Sequence, residues 1–166
     1  MAAGSLVSIH EYLNTSYRPD RDYVDGVVLE RNLGEYDHAR LQGAVLTYYF
    51  ARRKEWRLNV VPEQRVQVSS ERFRIPDVCG IVADNPPEQI FRTAPLFCVE
   101  VLSKDDRLSE MRERVDDYLK FGVRYVWILD PATRRAWRCT SEGMHEVAEL
   151  RTESPDTVVP LAELFE

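Results

Sequence analysis

With 166 residues, 44% of them hydrophobic and 30% charged, the chain is long enough for one domain with a real core over residues 1–166 and too short for two ordinary ones. Charges of both signs are interspersed, which excludes extended disorder, and the net charge of −6 weighs against nucleic-acid binding, whose affinity comes mostly from Lys and Arg neutralising phosphates. No apolar run approaches membrane-spanning length, and Met1 to Leu6 has neither the basic nor the long apolar region of a secretory signal, so a cytoplasmic location is expected.

In chain order, Ser8-Ile9-His10-Glu11 matches the capping box and predicts a short helix through Leu13. Tyr23-Val24-Asp25-Gly26-Val27-Val28-Leu29 predicts a tight hairpin, because Asp-Gly supplies the two positive-φ positions of such a turn. From Asp37 as N-cap, Leu41, Ala44, Val45, Tyr48 and Tyr49 recur at helical spacing, so an amphipathic helix is expected to end near Arg52. His38 stands in its first turn, where the helix dipole favours a neutral ring. Leu58 to Val61 and Arg65 to Val68 read as strand pieces.

Residues 73 to 102 are the centre of the chain. Phe73-Arg74-Ile75-Pro76-Asp77-Val78 reads as one strand that continues through Val82. Phe97 to Leu102 is apolar at every position except Glu100, as in a strand buried on both faces, where an ionised carboxylate is hardest to accommodate. Pro76 lacks a backbone donor, so sheet pairing is expected to be disturbed beside Asp77. Two carboxylates so placed can share one divalent cation held by oxygen ligands. Next, Leu108, Met111, Val115, Tyr118 and Leu119 share one face of a helix over 104–121, stopped by Gly122. Tyr125 to Leu129 is another apolar strand, and a crossover this long predicts a parallel, right-handed βαβ unit. Ala136 to Cys139 and His145 to Val147 read as a hairpin on the sheet edge, with Val158 to Leu161 closing an apolar face. Cys79, Cys98 and Cys139 lie in strand-like segments and read as reduced, buried thiols. Arg52, Arg53, Lys54 and Arg57 form one basic cluster and Arg134, Arg135 and Arg138 another. Each is either solvated surface or a local polyanion footprint.

Pro76-Asp77 followed by Glu100 in an apolar strand resembles the PD-(D/E)XK restriction-endonuclease-like superfamily. More narrowly, Glu100-Val101-Leu102-Ser103, a polar helix, Tyr118, Gly122-Val123 and Trp127-Ile128-Leu129-Asp130-Pro131 resemble the Uma-type family of restriction-endonuclease-like proteins, from about Ser8 to Phe165. The resemblance implies an α/β fold whose mixed β-sheet core is flanked by helices. It also implies Asp77 and Glu100 as catalytic residues and ligands of Mg²⁺ or Mn²⁺, DNA as substrate, and a homodimer. Asp22 and His38 fall where relatives carry an acid and a histidine. Each is either an accessory to the site or, respectively, a solvated aspartate and a helix-terminal histidine.

The lysine that the superfamily carries two positions after the second acid is replaced by Leu102. Relatives of the Uma type place a lysine on the following helix instead, and Arg114 matches that position, four before Tyr118. Arginine can hold phosphate or stabilise negative charge but is a poor proton acceptor. Its alternative is an ion pair with Glu110. Lys104, the nearest lysine after the strand, is a second candidate for that role, although Ser103-Lys104-Asp105-Asp106 reads as loop. Two functional readings follow: a metal-dependent endonuclease cleaving DNA phosphodiesters, or a catalytically silent nuclease-like domain serving as a binding or assembly module. In a third, Glu100 is a satisfied core carboxylate. No Gly-rich phosphate loop and no His-Glu-x-x-His pattern is present, which argues against nucleotide hydrolases and zinc peptidases.

Overall fold

The computed structural model describes residues 5–31 and 34–166; the first four residues, read above for a secretory signal, lie outside them. Ser8 caps α1 (Ile9–Leu13) by accepting the Glu11 N–H through Oγ at 3.1 Å. The hairpin of β1 (Asp22–Val24) and β2 (Val27–Leu29) turns at Asp25 and Gly26, with φ of 50° and 91°, as the Asp-Gly pair dictates.

A long helix, α2 (Tyr36–Trp56), follows. It starts before Asp37, with Glu35 as N-cap, and runs past Arg52 to a left-handed C-cap at Arg57. Nothing between Arg52 and Trp56 is a helix breaker, and Trp56 packs on the core, which extends the helix beyond its strict apolar period. Then come β3 (Leu58–Pro62), β4 (Val66–Ser69), β5 (Arg72–Arg74), β6 (Val78–Val82), β7 (Phe97–Val101), α3 (Leu108–Phe121) and β8 (Tyr125–Asp130). The chain closes with β9 (Arg135–Thr140), β10 (Gly143–Val147), β11 (Glu149–Thr152), β12 (Thr157–Pro160) and α4 (Leu161–Leu164).

Six strands form the main sheet in the order β10-β9-β8-β7-β6-β3, with β7 inside it and β7–α3–β8 as the parallel crossover. A second sheet, β2-β1-β5-β4, stands apart, and β11 pairs with β12. The stretch from Phe73 to Val82 is therefore not one strand. It belongs to the small sheet up to Arg74 and to the large one from Val78, and the missing N–H of Pro76 lies in the break.

Alternation along β7 sorts the core. Phe97, Val99 and Val101 pack with Leu41, Val45 and Tyr49 of α2, while Cys98 packs with Met111, Val115 and Tyr118 of α3. Leu108, expected on that helical face, is 62% exposed because it opens the first turn. The three cysteines are free and buried. Tyr12, Tyr23 and Phe73 form a separate aromatic cluster under the small sheet. Among the described residues no helix is long and apolar enough to cross a membrane.

One glycine is required by close approach rather than by its φ. A Cβ on Gly80 would lie 2.3 Å from Cε1 of Phe97, whose ring is stacked on Tyr49 at 4.7 Å. Gly80→Ala is expected to cost about 1–3 kcal/mol, the usual range for overpacking a filled core. An unchanged denaturation midpoint would mean that Phe97 repacks freely.

Candidate active site

The break at Pro76 places Asp77 at the entrance to β6. The register pairs Val78 with Val99, so one step outward sets Asp77 beside Glu100 on adjacent strands of the main sheet. The main-chain carbonyl of Asp77 accepts from Gln42 Nε2 at 2.9 Å and from the Glu63 N–H at 3.3 Å. Both α2 and the turn after β3 thus fix the residue.

Its buried carboxylate has three donors. Oδ2 accepts the Val101 N–H at 2.7 Å and lies 3.3 Å from His38 Nε2, while Oδ1 accepts from Arg31 Nη2 at 2.9 Å. Burial alone would raise the Asp77 pKa. His38, Arg31 and the Val101 N–H outweigh it and hold the group below the ordinary carboxylate range. In return the hydrogen bond to Asp77 raises the His38 pKa. The neutral ring expected from the helix dipole alone gives way to this closer partner.

Glu100 is 1% exposed and points to the α3 side. Oε1 accepts the Tyr118 hydroxyl at 2.5 Å, and Oε2 lies 3.5 Å from Arg114 Nη1. Burial, then the nearby charge of Asp77, pushes its pKa up to about 8 against the pull of Arg114 and Tyr118. Burial also holds Tyr118 protonated, so it remains a donor. Arg114 does not pair with Glu110. It bridges inward, with Nε 3.6 Å from Asp22 Oδ2.

Asp22 is not solvated. It is buried on β1, 3.2 Å from Arg74 Nη1, with its pKa raised by burial against Arg114 and Arg74. Arg74 Nε in turn donates to Asp117 Oδ2 at 2.7 Å. Lys104 lies elsewhere, exposed and 2.5 Å from Glu35 Oε1. A cleft of about 230 Å³ opens onto Arg31, His38, Gln42, Asp77, Val101 and Arg114; Glu100 does not line it but meets one of its lining residues, Arg114.

The structure thus brings Asp77, Glu100, Arg114, Asp22 and His38 into one charged cluster and leaves Lys104 outside it. Arg31, Gln42, Arg74 and Asp117 were not singled out from the sequence. Only Asp117 left a trace there, three residues after Arg114 and so on nearly the same helix face.

The donor chemistry fits a hard divalent cation. Asp77 and Glu100 offer carboxylate oxygens from register-paired positions, the hard oxygen donors such an ion takes, and a second negative charge beside Glu100 adds to what a cation there would offset. Among the described residues no group of three or more His, Cys, Asp or Glu could hold a metal. An ion here would therefore rely on these two side chains, main chain and water, as Mg²⁺ tolerates.

The family model Uma2, described as "Putative restriction endonuclease", matches residues 10–166. Among solved structures the chain is similar to one titled as a putative nuclease belonging to DUF820 from Anabaena variabilis. Identity is 18%, with 96% of this chain and 97% of that one covered at a TM-score of 0.84, a likeness of fold. No curated protein matches the chain. The family match spans nearly the whole sequence, including both central acids, and this chain belongs to the Uma2 family of restriction-endonuclease-like proteins.

Proposed function

We propose that the chain is a metal-dependent endonuclease that hydrolyses DNA phosphodiester bonds, with Asp77 and Glu100 holding Mg²⁺ or Mn²⁺. The observation that carries this reading is the pair of buried acids at neighbouring positions, Asp77 at the entrance to β6 and Glu100 on β7, with Asp77 lining a cleft rich in cationic donors and Glu100 joined to that cleft through Arg114. When bound there, such an ion lowers the pKa of a coordinated water and polarises a phosphoryl oxygen.

The chain's own residues supply the rest. Gln42 and the Glu63 N–H orient Asp77 through its carbonyl, and Val101 fixes the direction of its carboxylate. Arg114 stabilises negative charge developing near Glu100 but stays protonated, so it takes no proton from water. His38, on the cleft wall and held protonated more firmly by its hydrogen bond to Asp77, is a lining group able to hold a proton and pass it on. Arg31, Arg114 and His38 make the cleft locally attractive to a phosphate although the whole chain is acidic. A homodimer would bring two such sites to one duplex, the arrangement that restriction-like enzymes cutting both strands often use.

Plasmid nicking with Mg²⁺, with Mn²⁺ and with chelator tests the reading. Wild type should nick only with metal, Asp77→Asn should fall to the chelated baseline while still melting cooperatively, and Arg114→Lys should retain cleavage. The other reading, a silent nuclease-like domain acting as a binding or assembly module, draws on one observation: Asp22, Asp77 and Glu100 each already meet a guanidinium. Absence of metal-dependent nicking by folded wild type would put that reading first.

A further inference from the structure

Arg31 is the most unusual of the cationic partners. Arg74 lies on β5 and Arg114 on α3, both in regular structure, whereas Arg31 sits beyond the end of β2. Its side chain is nevertheless only 12% exposed, and it meets Asp77 through one nitrogen, Nη2, at 2.9 Å. A one-point contact lacks the geometric lock of a bidentate guanidinium–carboxylate pair. The oxygen it touches also matters. Oδ2 is committed to the Val101 N–H and faces His38, whereas Oδ1 has Arg31. Of the two oxygens of Asp77, Oδ1 is the one an incoming cation would compete for.

Resting on the metal-site reading above, we propose that Arg31 is a resident counter-ion on Asp77, which keeps the metal-free site neutralised, sets its affinity for a divalent cation, and yields Oδ1 when that cation binds. The physical reason is that a buried carboxylate stripped of its partner is strongly unfavourable, so some positive charge must stay on Asp77 at every stage. Exchange of one cation for another meets that demand without exposing a bare charge. The guanidinium released belongs to a cleft-lining residue, and a phosphate oxygen is the partner its planar donors suit best. Arg31 therefore acts as a positioning residue for the metal and as a contact for DNA.

The test is calorimetric titration of Mn²⁺ into wild type, Arg31→Gln, Arg31→Lys and Asp77→Asn. Arg31→Gln removes the competing charge and should bind Mn²⁺ about tenfold more tightly, as expected for a charge-assisted contact of ordinary strength. Arg31→Lys should stay near wild type, and Asp77→Asn should lose the site. In nicking assays Arg31→Gln should show half-saturation at lower metal concentration and a higher KM for DNA. Opposite movements of this kind do not come from loss of packing alone. Equal or weaker Mn²⁺ binding by folded Arg31→Gln overturns the proposal, and the endonuclease reading survives if wild type still nicks. Tighter binding with no nicking by any variant supports the proposal and removes cleavage. Should Arg31→Gln fail to fold, the arginine side-chain N–H resonances of wild type decide. A Mg²⁺-induced shift of the resonance missing from Arg31→Lys supports displacement, and an unmoved resonance refutes it.

Discussion

Arg74→Ala should lower folding stability by about 3–5 kcal/mol, the usual cost of breaking a buried ion pair from one side. Arg74 is buried between two acids, with Nε on Asp117 at 2.7 Å and Nη1 on Asp22 at 3.2 Å. Removing it leaves Asp22 with only the longer contact to Arg114 at 3.6 Å and Asp117 with Arg72 at 3.0 Å, a poorer compensation for two carboxylates largely withdrawn from water. Its Nη2 lies 3.7 Å from Glu113 and has no hydrogen bond, so the gain from this group is incomplete already in the native chain. For that reason Arg74→Met combined with Asp22→Asn and Asp117→Asn should recover most of the loss, since an apolar or neutral replacement of the whole set spares the desolvation. Urea denaturation midpoints measure both. A loss below about 1 kcal/mol for the single variant, typical of surface pairs, would mean that the cluster is wetter than its burial implies.

The second large effect is on pH dependence without metal. In the folded chain Glu100 takes up its proton near pH 8, against an ordinary value of 4.5. Between these values the folded state binds more protons than the unfolded one. The stabilisation is therefore fully present below 4.5 and is lost as the pH rises through 8. His38, raised above its ordinary 6.5 by Asp77, acts in the same sense, its contribution fading as the pH rises through the raised value. Asp77, held below its ordinary 3.8, works oppositely and only in acid, where falling pH removes its contribution. In chelator, the melting temperature should fall by roughly 5 °C or more from pH 5 to pH 9, given the usual sensitivity of a domain this size. Glu100→Gln should flatten most of that slope. Divalent cation should flatten it as well, because an ion on the carboxylate replaces the proton. A profile that rises toward alkaline pH would contradict the burial of Glu100.

Much of this fold could be read from local chemistry. Asp25-Gly26 gave the first hairpin, Gly122 ended α3 with φ of 107°, and the apolar run from Phe97 gave an interior strand because its neighbours cover both faces. Glu100 was conspicuous for the same reason. What could not be read depends on contacts between distant segments. Pro76 signalled a disturbance, but nothing near it said that the chain changes sheets there. Asp22 looked like a surface acid beside a turn, since its burial depends on Arg74 and Arg114, far along the chain. Arg31 carried no local mark at all, because an arginine after a hairpin is ordinary until the fold brings Asp77 to it. Leu108 erred in the other direction: its helical phase was right, but it sits in a first turn that nothing covers.

The passage of the chain from one sheet to the other at Pro76 also defines how far this molecule could be pared down. The six-stranded sheet with α2 and α3 contains Asp77, Glu100, His38, Tyr118 and Arg114. Asp22 and Arg74 belong to the four-stranded sheet, and Arg31 follows directly from its hairpin. A miniature version without that sheet would keep both acids and their helix-borne partners. It would also open Asp77 to water on the side Arg31 now covers and take Asp22 from Arg114, which would keep its contact with Glu100. The smaller sheet and the residue after its hairpin thus cover the larger one electrostatically through Asp22, Arg74 and Arg31, and apolarly through Val66 and Val68 of β4, which pack with Met111 and Tyr118 of α3, so a reduced design would have to replace both.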